Sequence, residues 1–194
     1  PLGPCHPPQF PPKISYPPPR FDIARAVANG DVMAMLSTTE RQGILRHIGG
    51  TPLVRLQHIG KELAVPVLVK CEHLNPGGSI KDRIAIAIVE DAEARGVLAP
   101  GMTIIEATAG NTGLGLAMVA GARGMKLVCL MPEKMSVDKR NALSALGAQV
   151  IVTPNLPRTD PGNFRNVAAR MAQEHGWFLA DQFNNPANVE AHVR

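Results

Sequence analysis

The stretch TIIEATAGNTGLGLAMVAGAR, residues 103–123, decides how the whole chain is read. Thr103–Glu106 has the character of a strand, and Asn111–Arg123 has the character of a helix. The corner where one becomes the other, Glu106–Gly115, holds three glycines, Gly110, Gly113 and Gly115. Gly124 follows the helix, at the position where a left-handed C-terminal cap is wanted.

Working outward, the same unit recurs. Further strand-like runs are Leu53–Leu56, Val65–Cys71, Lys126–Leu130, Gln149–Thr153 and Trp177–Ala180. Helix-like runs are Lys81–Leu98, Val137–Leu146 and Phe164–Glu174, with Gly96, Gly147 and Gly176 as cap candidates. After the first pair, each strand is followed by a helix of crossover length. That alternation predicts an α/β fold with a mostly parallel, twisted sheet and helices on both faces. The helix from Lys81 carries Ile84, Ala85, Ile86, Ala87, Ile88 and Val89 almost without a polar break, so it is expected to be buried on most sides.

Composition bounds the function. The chain has 194 residues, enough for one ordinary domain, and 45% of them are hydrophobic. Lys and Arg number 20 against 16 Asp and Glu, interspersed rather than blocked, and aromatics are 4%. Nucleic-acid binding by a basic patch or stacking platform is therefore not expected. No apolar run reaches the length of a membrane helix, so no membrane association is expected either. Cys5, Cys71 and Cys129 are an odd set at irregular spacing, which suits reduced thiols in a cytoplasmic setting.

Nine of the 18 prolines fall in the first 19 residues. Proline lacks the N–H that strands and helices need, so residues 1–20 read as an extended tail, without the apolar core of a secretory signal. A polyproline ligand is the less favoured alternative. With the transitional 21–42, whose helix face would be interrupted at Asn29-Gly30-Asp31, this makes a tail and linker of 1–43 ahead of a body over 44–194.

Two strand-to-helix corners carry the chemistry, because ligands of parallel sheets bind beyond the strands' carboxyl ends. At the second corner, residues 106–115, the glycines permit close backbone approach, and Thr108, Asn111 and Thr112 supply side-chain donors. Next to a helix N-terminus they suit a carboxylate or phosphate; the same residues also fit a tightly packed, capped turn. The spacing is not that of a dinucleotide fingerprint. At the first corner, NPGGSIKDR (75–83), Lys81 stands in the first turn of an apolar helix. Macrodipole and desolvation both favour the neutral amine, a nucleophile able to condense with a carbonyl. A solvated lysine paired with Asp82 is the competing reading.

These corners resemble the lysine motif and the asparagine loop of the cysteine synthase / cystathionine β-synthase family, fold-type-II enzymes that use pyridoxal 5'-phosphate. The similarity runs through IGGTPLVRL (48–56), KCEHLNPGGSIKDR (70–83), LMPEKMS (130–136), LSALGAQVIVTP (143–154) and DQFNNPAN (181–188), in family order. It implies that Lys81 binds the cofactor aldehyde and acts as the base, and that Asn111 hydrogen-bonds the cofactor ring oxygen. It implies that Thr108, Ala109, Gly110 and Thr112 grip the substrate carboxylate, with Gln182 reaching it too. The implied reaction is β-replacement on serine or O-acetylserine by sulfide or a thiol, giving cysteine. Serine with homocysteine, giving cystathionine, is the alternative. The long connection Pro154–Asn163 leans towards the cystathionine enzymes and DQFNNPAN towards cysteine synthases. A homodimer is expected of the full-length protein.

The resemblance stops short of the family's later Gly/Thr-rich phosphate loop and its group facing the pyridine nitrogen. The chain is therefore expected to be the front part of an enzyme. A catalytically dead binding or assembly module is the rival from another class, and a plain nucleotide-binding domain a third reading. Ala109 stands where many members have Ser. Cys71 and His73 are expected on one strand face, but with no second pair at zinc spacing no metal site is predicted. Cys5-His6, reminiscent of a haem-ligating leader, is discounted on its spacing. Cys129 is expected in the core.

Overall fold

The computed structural model describes residues 41–108 and 110–193. The readings of the proline-rich tail, of the 21–28 helix face and of Cys5-His6 lie outside the described residues, as does the placement of Ala109. From Arg41 onward the chain is anchored. Its guanidinium donates to both carboxylate oxygens of Glu90, at 2.8 and 2.9 Å, and Leu45 in the 3-10 turn Gly43–His47 is buried.

Two sheets form. Strands β1 (Leu53–Arg55) and β2 (Leu68–Lys70) pair antiparallel as a small ribbon. The main sheet holds β3 (Thr103–Ala107), β4 (Lys126–Pro132), β5 (Gln149–Thr153) and β6 (Phe178–Leu179), all parallel, in the order β5-β4-β3-β6. The helices between and around them are α1 (Lys81–Ala94), α2 (Asn111–Ala122), α3 (Val137–Ala145), α4 (Phe164–His175) and α5 (Pro186–Val193).

Side chains alternate along a strand, and the sheet's two faces are sealed accordingly. Ile104, Leu127, Cys129 and Met131 pack with Ile86, Val89, Leu116 and Val119 of α1 and α2. Ile105, Ala107, Val128 and Leu130 pack with Val167, Ala168 and Ala172 of α4. Helices thus cover both faces, as the alternation of strand and helix predicts. Each large aliphatic side chain buried in these layers contributes about 1.5–3 kcal/mol.

The glycine caps behave as expected: Gly96, Gly124, Gly147 and Gly176 all have positive φ. Gly96 ends α1 earlier than its apolar run suggests. Its N–H and that of Val97 fold back onto the carbonyls of Glu93 and Ala92, so the helix stops at Ala94 rather than Leu98. The strand expected over 65–71 shrinks to Leu68–Lys70, and Cys71 leads into a 3-10 turn, Glu72–Leu74. Cys71 and His73 are consequently not neighbours on a strand face. Among the described residues no three His, Cys, Asp or Glu side chains cluster as metal ligands. No helix among them is long and apolar enough to cross a membrane.

Helix α5 was not anticipated from the sequence. Its signal is nevertheless present: the Asn185 side chain accepts from the Ala187 N–H, and Pro186 fills the first helical position, where a missing N–H costs nothing.

Candidate active site

In the sheet order β5-β4-β3-β6 the chain winds first to one side of β3 and then returns to its other side. The crevice beyond the carboxyl ends of β3 and β6 is therefore the switch point, where parallel sheets bind ligands. Beyond β3 lie Thr108, Gly110, Asn111 and Thr112; beyond β6 lies Gln182.

The lysine corner is held by a polar brace. Arg83 donates two hydrogen bonds to Glu72, both 2.8 Å, and a third, also 2.8 Å, to the Gly49 carbonyl. Glu72 also accepts from the Thr51 hydroxyl at 2.6 Å and from the Asn75 amide at 2.9 Å. Asn75 in turn accepts from the Gly49 N–H at 2.8 Å. These bonds tie the 48–56 motif to the 70–83 motif. The Arg83 guanidinium holds the Glu72 carboxyl down at about 2. Gly49 has φ +88, and a Cβ there would meet the Arg83 Nη1 at 2.8 Å, so both backbone and space call for glycine.

Lys81 is the first residue of α1 and is half-buried; its N–H donates to the Ser79 hydroxyl at 3.1 Å. Asp82, the partner in the competing reading, turns the other way. Its carboxylate is buried and accepts from the Gly77 N–H at 2.5 Å, and no ion pair among the described residues joins it to Lys81. Burial raises its pKa, with the Gly77 bond opposing.

At the second corner the buried Thr108 hydroxyl accepts from the N–H groups of Gly110 and Gly113, at 3.1 and 3.2 Å, and so shapes the entry to α2. Gly110 has φ +154, a conformation that side chains rarely adopt. Asn111 is exposed at the open end of α2, where the helix dipole favours an anion.

The buried Thr112 hydroxyl donates to Gln182 Oε1 at 2.6 Å. The structure thus brings Thr112 and Gln182 together across the switch point. Ahead of Gln182, Asp181 takes φ +44, steadied by two hydrogen bonds from Asn184 to its carboxylate.

The corners meet through α2. A Cβ at Gly115 would lie 3.2 Å from the Lys81 carbonyl oxygen and 3.3 Å from the Asp82 Cα. Glycine at 115 lets the start of α1, which bears Lys81, press against α2 near its first turn.

Beside the second corner, two residues escaped the sequence reading. Glu106, on β3, is 2% exposed, and its carboxylate accepts from the Gln182 side-chain amide at 3.1 Å and from the Gln182 N–H at 3.4 Å. Desolvation pushes its pKa up to about 7. Lys139, on α3, brings its Nζ to 3.9 Å from where a Cβ would stand on Gly110, placing a cation beside the loop. A concavity of about 1130 Å³, lined by Arg41, Glu90, Phe178 and Asn185 among others, opens on another flank of α1 and includes neither Lys81 nor Asn111.

The family model described as pyridoxal-phosphate dependent enzyme matches residues 44–194. A cysteine synthase of Staphylococcus aureus is 49% identical over 149 residues, which are 77% of this chain and 47% of that protein. O-ureido-L-serine synthase of Streptomyces lavendulae is 48% identical, over 77% of this chain and 45% of its own length. Cystathionine beta-synthase of Oryctolagus cuniculus is also 48% identical, over 77% of this chain and 28% of its own. Among solved structures, O-ureido-L-serine synthase superimposes with a TM-score of 0.73 at 46% identity, covering 79% of this chain and 48% of that one. The chain spans about half the length of the cysteine synthase it matches.

Proposed function

The chain belongs to the pyridoxal-phosphate dependent enzyme family, and from that premise we propose that it forms the front part of an enzyme that replaces the β-substituent of serine or an O-activated serine with sulfide or a thiol, making cysteine. The observation that carries the reading is the contact at Gly115, which sets a lysine-bearing helix start beside a glycine-rich, anion-accepting one.

The residues present fit pyridoxal 5'-phosphate by their chemistry: a half-buried primary amine for the aldehyde at Lys81 and an exposed amide for a ring oxygen at Asn111. When bound, that cofactor draws electrons from the substrate's α-carbon and makes its proton acidic. The chain's own groups do the rest. Lys81 would hold the cofactor aldehyde, and its amine would take the proton from the substrate's α-carbon. Thr108, Ala109, Gly110 and Thr112, with Gln182, orient the substrate carboxylate, aided by the dipole of α2. Lys139 adds positive charge beside that loop and favours the substrate's carboxylate there.

Cystathionine formation from serine and homocysteine is the second reading. It is favoured by the 48% identity to a cystathionine beta-synthase and by the long β5–α4 connection, residues 154–163. Parallel assays with both donor–acceptor pairs separate the two. The primary reading is tested by borohydride reduction of the intact protein with pyridoxal 5'-phosphate, followed by peptide mapping. A tag on Lys81 is expected, and Lys81→Ala should lose it together with about 10³-fold in rate. A tag on another lysine, or none, overturns the proposal.

A further inference from the structure

Glu106 takes no part in the reaction proposed above, yet the corner is wired to it. The Thr112 hydroxyl donates to Gln182 Oε1, the Gln182 Nε2 donates to Glu106 Oε1, and the Gln182 N–H donates to Glu106 Oε2. Every proton in this relay points towards Glu106, the arrangement an ionised carboxylate imposes. A hydroxyl that donates inward has no proton to offer a ligand.

One added proton reverses the order. Protonated Glu106 donates to Gln182 Oε1, the amide having turned end for end. Its Nε2 then donates to Thr112 Oγ1, and the Thr112 hydroxyl proton is released towards the corner. Glu106 gains the proton, and no other group loses one.

We propose that Glu106 is a positioning residue which, through Gln182, decides whether the Thr112 hydroxyl can donate to a bound carboxylate, so that gripping the anion is coupled to uptake of one proton. The proposal rests on the reading of residues 108–112 as the carboxylate grip.

The surroundings suit a titrating acid. Glu106 is buried between the β3–β4 pair and the 180–182 turn. Asp181 on that turn repels its charge; Cys129 faces it from β4 as a neutral thiol, and α2 contributes the uncharged Thr112 through Gln182. Its pKa of about 7 puts both states of the relay within reach near neutrality. A second negative charge at the loop favours the protonated state further. Affinity for the anion should therefore fall as pH rises through and above that value.

The test uses the intact, cofactor-loaded protein and 2-aminoisobutyrate, an amino acid without an α-hydrogen, so that binding is measured without turnover. Calorimetry at pH 8 in buffers of different ionisation enthalpy counts the protons taken up. The wild type is expected to take up about one proton more than Glu106→Gln. From pH 6.5 to 8.5 its affinity should weaken about tenfold more than that of Glu106→Gln. Difference infrared spectra should show a carboxylic-acid carbonyl band that grows on binding and is missing in Glu106→Gln. Thr112→Val keeps the acid but removes the hydroxyl, and should lose the extra proton even if Glu106→Gln does not fold. Equal proton uptake in the wild type and either variant overturns the relay alone. Failure of the wild type to bind the probe at any pH overturns the proposed reaction, and the relay with it.

Discussion

Glu72 and Glu106 are the same residue in two regions of one site, and they behave oppositely. At the lysine corner, Glu72 sits in a fork of Arg83 and its pKa is held at about 2. Beneath the second corner, Glu106 is sealed from water and repelled by Asp181, and its pKa rises to about 7. One carboxylate is a fixed strut; the other stands at the balance between two protonation states. The contrast joins two causes: deeper burial drives Glu106 up, and a cation in direct contact draws Glu72 down.

Breaking the strut should have the largest effect. Arg83→Met leaves Glu72 charged and partly buried without its partner, and is expected to cost about 3–5 kcal/mol, read as a shift of the denaturation midpoint. Glu72→Gln should cost less, because the amide oxygen still accepts a hydrogen bond of the brace, although Arg83 keeps its charge without a counter-ion.

The contrast is sharpened by pH. Glu72 titrates lower in the folded chain than in the unfolded one. Its contribution is present above about 4.5 and is lost as pH falls towards 2. Glu106 titrates higher when folded, so its relative contribution is full below about 4.5 and is lost as pH rises through about 7, on the order of 3 kcal/mol in all. Stability measured by urea from pH 3 to 9 should therefore decline at both ends. Glu106→Gln should flatten the upper decline and leave the acid one. An upper decline unchanged in that variant would contradict the assignment.

The smallest effect is expected at the seam between the corners. In Gly115→Ala the new methyl would lie 3.0 Å from the Ala85 Cβ and press on the Lys81 carbonyl. The strain outweighs alanine's better helix propensity by about 1 kcal/mol. The melting temperature should drop by a few degrees, roughly what 1 kcal/mol produces in a domain of this size.

Much of this architecture was legible in the sequence because its signals are local. Periodicity located α1 to α4, and four glycines marked their ends. The first residues of α1 and α2, Lys81 and Asn111, fell where the corners were read. What was missed depends on distance along the chain. Arg83 reaches Gly49 across 34 positions, and Glu106 reaches Gln182 across 76. No spacing rule links such pairs. Glu106 itself looked like the polar end of a strand, since nothing near it in sequence reveals that β6 returns alongside β3. The expected Cys71–His73 face failed for a local reason: the chain leaves the strand at Lys70 and coils.

Cys129 lies opposite Glu106 in the β3–β4 register, and its sulfur stands 3.3 Å from where a Cβ on Gly113 would project. Apolar surroundings and the neighbouring carboxylate push its thiol up to about 12. A catalyst that adds external sulfur to an electrophilic carbon is in danger of alkylating itself. If the proposed addition of external sulfur runs at this corner, Cys129, protonated and sealed beneath it, would not compete with the incoming nucleophile.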